Sequence, residues 1–156
     1  MFNLSYGLFI LTAKDEEGRD NGCIINTAFQ VANDPTKIAI SCQAGNLTRE
    51  IIEKTGKFNL SVLTEDLPFE TVQHFGMRSG RDVNKFEDFE ATSRSHNGLY
   101  YITENTNAFF SCEVKGSMNL GSHQLFIADV TESATLSKAP SCTYAHYHKA
   151  IKKKFT

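Results

Sequence analysis

No stretch of this chain is apolar for anything near the length that crosses a bilayer. The opening MFNLSYGLFILTAKDE has no basic leader before its apolar segment and no cleavage pattern after it, so a cytoplasmic protein is expected. Cysteine is sparse. Cys23, Cys42, Cys112 and Cys142 are far apart, with no C-x-x-C among them, which excludes a zinc knuckle and a thioredoxin-like motif and leaves buried free thiols as the expected state. There is no G-x-S-x-G, no H-E-x-x-H, no G-x-x-x-x-G-K and no G-x-G-x-x-G. Esterase-type, zinc-hydrolase, P-loop and Rossmann chemistry therefore have no anchor here. Excess charge is lacking too: a net charge of −2 argues against general nucleic-acid binding. Lys149, Lys152, Lys153 and Lys154 form only a local basic patch, read as a solvated tail.

What is present is one globular chain, residues 1–156, read as a single domain. Hydrophobic residues make up 40% of it, enough for a sizeable core. Tyr6 to Ala13 reads as a strand. The exposed turn Asp15 to Gly22 folds it back onto a second strand, Cys23 to Val31, in which Asn26, Thr27 and Gln30 interrupt an otherwise β-branched or apolar run. Asn33-Asp34-Pro35 signals a turn, and Lys37 to Gln43 then alternates as a half-buried strand should. Asn46 suits a helix N-cap, Leu47, Ile51 and Ile52 give the helix its apolar side, and Gly56 suits its stop. Phe58 to Leu63 alternates again, and Asp66-Leu67-Pro68 opens a second helix reaching about Phe75. Leu99 to Thr103, Ala108 to Val114 and Gln124 to Val130 are three further strands. Strands thus outnumber helices in a pattern of hairpins with one strand-helix-strand insertion, which predicts an antiparallel barrel with helices at its ends.

Two stretches point beyond packing. A strand, a Gly-Asn-x-Thr turn and a helix start at Gly45 to Thr48 either simply cap a helix or hold an anion, because first-turn amides are unpaired and the helix dipole favours negative charge. Gly76 to Phe89, GMRSGRDVNKFEDF, is polar and basic through Arg78, Arg81 and Lys85, yet flanked by Phe75, Phe86 and Phe89. It is either a solvated loop or one held in place to face a ligand. The histidines at 74, 96, 146 and 148 are single and read as surface groups, and no metal is assigned.

Taken in order, YGLFILT, NTAFQV, SCQAGNLT, FNLSVL, FGMRSGRDVNKF, GSHQLFIADV and YAHYHKAIKKK resemble the flavin reductase-like family, over nearly the whole chain. The resemblance implies a mainly β fold, an FMN-binding split β-barrel of Greek-key antiparallel type with a few short helices. It implies FMN as cofactor and NADH or NADPH as transient hydride donor. Asn26, Thr27, Ala28, Phe29, Gln30 and Val31 would line the isoalloxazine edge; Ser41, Cys42, Asn46, Leu47 and Thr48 would hold ribityl and phosphate; Ser79, Arg81 and Lys85 would lie in the loop over the cofactor, with Arg81 at the phosphate or the reduced ring. His123 corresponds to the histidine of a Gly-Asp-His signature in which Ser122 here replaces the carboxylate, and Tyr144 and Tyr147 resemble the aromatic segment that closes the site. The family pairs subunits around two flavins, so a homodimer is expected.

Three activities remain open at this point: reduction of flavin by NAD(P)H, electron transfer from bound FMN to a protein such as rubredoxin, and a cofactor-free structural domain. The basic loop and the Asn46 turn argue against the last, since a bare scaffold needs neither. NADH and NADPH are not distinguished, nor is the acceptor.

Overall fold

The computed structural model describes residues 3–152. Lys153 and Lys154 of the basic patch lie outside the described residues. Among the described residues nine strands run in chain order as β1 (Phe9–Lys14), β2 (Asp20–Ile25), β3 (Ala28–Asn33), β4 (Thr36–Gln43), β5 (Lys57–Leu63), β6 (Thr92–Arg94), β7 (Tyr100–Ile102), β8 (Thr106–Asn119) and β9 (His123–Thr135). Helix α1 (Leu47–Thr55) follows β4 and α2 (Phe69–Gly76) follows β5. A short α3 (Tyr144–His146) runs into a π-helical segment, Tyr147–Ile151.

Seven strands form one antiparallel sheet in the order β2-β1-β5-β8-β9-β4-β3, and β6 and β7 form a separate ribbon. The two edge strands of the large sheet, β2 and β3, are consecutive in the chain and separated by only Asn26 and Thr27. Three residue steps reach about 10 Å, so the sheet must curl until its edges nearly meet. The Thr27 carbonyl accepts the Ser41 amide at 3.1 Å beside this seam. The predicted barrel is therefore present, and split at one side.

The single strand expected from Cys23 to Val31 is two strands on opposite edges. Asn26 Oδ1 accepts the Thr27 hydroxyl at 3.0 Å, a local bond of the kind that competes with ladder pairing. The expected hairpin of β1 on β2 is present, with Asp15 Oδ1 accepting the Glu17 and Arg19 amides in its turn. Strands β8 and β9 run past Val114 and Val130, where the sequence reading ends them. Their outer halves are largely exposed and so lack the apolar alternation that marks a half-buried strand.

Inside the barrel, Leu11, Cys23, Ile40, Phe58, Cys112 and Phe126 pack together, and α1 plugs one end with Ile51 and Ile52. Both of its expected caps are present: Asn46 Oδ1 accepts the Thr48 amide at 2.8 Å, and Gly56 stops the helix at φ +73°. A second cluster lies outside the barrel, where Phe69, Val72 and Phe75 of α2 meet Leu8, Ile10, Ile102 and Tyr147. All four cysteines are buried free thiols. Among the described residues no helix is long and apolar enough to cross a membrane.

Candidate functional site

Between the barrel mouth and the second cluster lies a cleft of about 350 Å³, within the range of small-molecule sites, about 300–1,000 Å³. Its walls come from five places in the chain: β2 with Asn26 at the seam, the end of β4 with Asn46, the end of α2 with the following loop, the start of β9, and the C-terminal segment. The barrel's split brings the first two together. The packing of α2 on β2 brings the third, with Gly76 so close to Ile24 that an added Cβ would sit 3.1 Å from its side chain.

Of the residues singled out in the sequence, Asn26, Ser41, Cys42, Asn46, Lys85, His123, Tyr144 and Tyr147 all line this cleft. Asn46 stands at the start of α1, where the Leu47 and Arg49 amides have no intrahelical acceptor. Lys85 is 3% exposed. Its Nζ donates to the Gly22 carbonyl at 2.7 Å and the Phe75 carbonyl at 2.9 Å, leaving one of the three ammonium N–H groups uncommitted. Burial pushes its pKa down from the ordinary 10.5. His123 pairs with Gln43 across β4 and β9, and its Nδ1 shares a hydrogen bond with Ser122 Oγ at 2.9 Å. Ser122 is thus the hydrogen-bond partner of the His123 ring. Thr143 caps α3 by accepting the His146 amide at 3.0 Å. The Tyr144 amide donates to the Tyr6 carbonyl, and Tyr147 is buried, so the aromatic segment is fixed against the cleft.

The other singled-out residues lie elsewhere. Thr27 sits in the seam, and Ala28, Phe29 and Gln30 run along edge strand β3, with Phe29 55% exposed. Thr48 is fully buried, its hydroxyl accepting from Asn21 at 2.8 Å. Ser79 shapes the loop by accepting the Arg81 amide. Leu47 and Arg81 line a different and larger hollow of about 700 Å³, in which the Arg81 guanidinium donates to Glu50 at 2.6 Å. That hollow mixes Asp15, Asp20 and Asp82 with Arg19 and Arg81, so its charges largely cancel. His74 is half-buried and stacked on Phe89, not a free surface group.

The smaller cleft is electrostatically different. Among the described residues no carboxylate lines it, while Lys85, Arg78 and His123 do. Arg78 was not assigned to the site from the sequence. Of the chain's five arginines, Arg19, Arg49, Arg81 and Arg94 each meet a carboxylate, and among the described residues Arg78 meets none. Leu8, Ile24, Val72 and Phe75 supply an apolar wall beside these cations. An apolar slot next to a buried ammonium, an unpaired guanidinium and a helix start has the chemistry to hold a flat, partly apolar ligand that ends in an anion.

Comparisons with known proteins give the chain's relatives. The family model described as "Flavin reductase like domain" matches residues 1–153. The high molecular weight rubredoxin of Moorella thermoacetica is 38% identical over 148 residues, covering 95% of this chain but 64% of that protein, so the chain spans less than two thirds of that relative. The ferric-chelate reductase (NAD(P)H) of Archaeoglobus fulgidus is 32% identical over 147 residues, covering 94% of this chain and 86% of that protein. Among solved structures, the styrene monooxygenase flavin reductase of Pseudomonas putida S12 matches with a TM-score of 0.70 at 27% identity, over 85% of this chain and 82% of that one.

Proposed function

The chain belongs to the flavin reductase-like domain family, and from that membership we propose that it is an FMN-dependent oxidoreductase, taking hydride from NADH or NADPH and passing electrons to free flavin or another acceptor. The observation that carries the proposal is the carboxylate-free cleft with its buried Lys85, unpaired Arg78 and apolar wall. Those residues fit FMN, whose phosphate, ring and polar pyrimidine edge ask for cations, an apolar slot and hydrogen-bond donors. When bound, FMN supplies N5 as the hydride acceptor.

The chain's own part is binding and orientation. Asn46 and the open amides of α1 would hold the phosphate end together with Arg78, and the Lys85 ammonium would favour negative charge in the same cleft. His123, steadied by Ser122, would serve as a polar partner to the ring or the nicotinamide, and Tyr144 and Tyr147 would close the cleft and limit water. Ser41 and Cys42 contribute the wall at the end of β4. No residue need act as a nucleophile, because positioning donor and acceptor carries the rate.

A second reading, that FMN stays bound and serves a protein acceptor such as rubredoxin, is supported by the Moorella relative's name and by that protein's extra length. A homodimer is supported by the apolar surface on the outer sheet: Phe29 and Val31 are exposed on edge strand β3, and Met118 and Leu120 at the tip of the β8–β9 hairpin. Free cysteines and the absence of a membrane-crossing helix among the described residues favour a cytoplasmic location. A fluorescence titration tests the binding half of the proposal: flavin-free protein should quench FMN emission saturably at one flavin per chain, and an unquenched signal would contradict it.

A further inference from the structure

Between α2 and β6 the chain that brings Arg78 and Lys85 to the cleft has neither helix nor strand, so its place is set by what it rests on. Lys85 is anchored on β2 through the Gly22 carbonyl. The Arg81–Glu50 pair is exposed and therefore a weak tie. Between these two points the loop backbone lies on the side chain of Asn21, the neighbour of Gly22. A Cβ added at Gly80 would overlap Asn21 Oδ1 and stand 2.6 Å from its Cγ. Gly80 is not among the residues with a positive φ, so the close approach to Asn21, not a left-handed backbone, is what excludes a side chain there.

Asn21 is 5% exposed, and its other contact leads to the opposite wall of the cleft. Its Nδ2 donates to Thr48 Oγ1 at 2.8 Å, and the Thr48 amide donates to Asn46 Oδ1 at 2.8 Å. Asn46 lines the cleft and Asn21 does not. One buried amide thus touches the loop two residues after Arg78 and helix α1 two residues after Asn46. An apolar side chain could fill the same space on β2 without the cost of burying an amide, so the bond to Thr48 is what accounts for asparagine at this position.

We propose that Asn21 is a positioning residue for the flavin phosphate: it touches no ligand, and it fixes Arg78 and the start of α1 at the separation that lets both meet one anion. This rests on the flavin reading. Two groups on separate elements share an anion only while their spacing holds, so loosening Asn21 costs the phosphate contacts. The apolar wall is spared, because Leu8, Val72 and Phe75 pack in the second cluster without Asn21.

The test compares FMN with riboflavin, which has the same ring and ribityl chain and no phosphate, in fluorescence titrations. Two variants remove the Asn21–Thr48 bond, Asn21→Ala from one side and the volume-conserving Thr48→Val from the other. Each should weaken FMN binding by about fivefold or more and riboflavin binding by less than about twofold. Equal losses for the two flavins, or an unchanged FMN affinity in either variant, overturn the role. Gly80→Ala should weaken FMN binding in the wild-type background and add less than about twofold to Asn21→Ala, where the space is free. The same loss in both backgrounds overturns the contact. Hydrogen exchange in flavin-free protein follows the loop directly, at the Asp82 and Val83 amides that donate to the Ser79 carbonyl. They should exchange faster in Asn21→Ala while β8 and β9 exchange as in wild type. Unchanged loop exchange in protein that binds FMN overturns the tie alone, whereas wild type that quenches neither flavin overturns the flavin reading and the phosphate role with it.

Discussion

The Arg81 guanidinium donates to the Glu50 carboxylate at 2.6 Å and so ties the 76–89 loop to the first turn of α1. Arg78, three residues earlier, reaches the cleft without any such partner among the described residues. Two arginines of one loop therefore do different work. Arg78→Ala should weaken FMN binding by about ten- to a hundredfold, the loss of a charge-assisted hydrogen bond. Arg81→Ala should weaken it less than tenfold, since an exposed ion pair is worth about 0–1 kcal/mol. Fluorescence titration of both variants against Lys115→Ala, which pairs with Glu113 away from the cleft, checks the order; an Arg81 effect larger than that of Arg78 would reverse the assignment.

The same pair gives a pH dependence. The Arg81 hydrogen bond holds the Glu50 carboxyl below its ordinary 4.5. Because the folded value is depressed, the tie is fully present above 4.5 and lost as pH falls through the folded value. Hydrogen exchange in the loop should rise in that acid range in wild type and show no such step in Glu50→Gln.

Lys85 behaves in the opposite sense. Its folded pKa lies below 10.5, so between the two values the unfolded chain binds the extra proton and stability rises with pH. Lys85→Met strands the Gly22 and Phe75 carbonyls and should cost about 1–3 kcal/mol near neutral pH. The gap between wild type and Lys85→Met, measured by urea unfolding, should widen as pH rises toward 10.5, and a gap that narrows would show the ammonium to be stabilised by its site.

Oligomeric state is checked at the β3 edge. Sedimentation at micromolar concentration should give twice the chain mass, and Phe29→Glu, which charges an exposed apolar position, should shift it toward the monomer. A wild-type monomer that still binds FMN would refute the dimer.

FMN should bind more tightly than FAD. The start of α1 offers a site for a terminal phosphate, and the sequence has no G-x-G-x-x-G unit for an adenylate. Parallel titrations with both flavins check this, and equal or tighter FAD binding would refute the preference.

Much of this arrangement was legible in the chain. Asn46 and Gly56 mark the ends of α1 by cap chemistry, which is local, and the alternation of β4 and β5 reports one buried face. The break between β2 and β3 was not legible, because it is imposed by the closing of the barrel and carries neither Gly nor Pro. Within the site, Asn26, Ser41 and Lys85 were legible from the order of motifs, and their convergence in one cleft is geometric. Arg78 and Arg81 are the same residue type in one polar loop; only the fold decides which of them Glu50 takes.

The most direct test of the central claim is the anaerobic spectrum of FMN-loaded protein mixed with NADH or NADPH in slight excess. The flavin absorption band should bleach with at least one of the two, much faster than free FMN at the same concentration, and return on admission of air. A band that stays unbleached with both nucleotides, while dithionite removes it, would contradict the NAD(P)H-linked function and leave the chain as a flavin protein reduced by a partner.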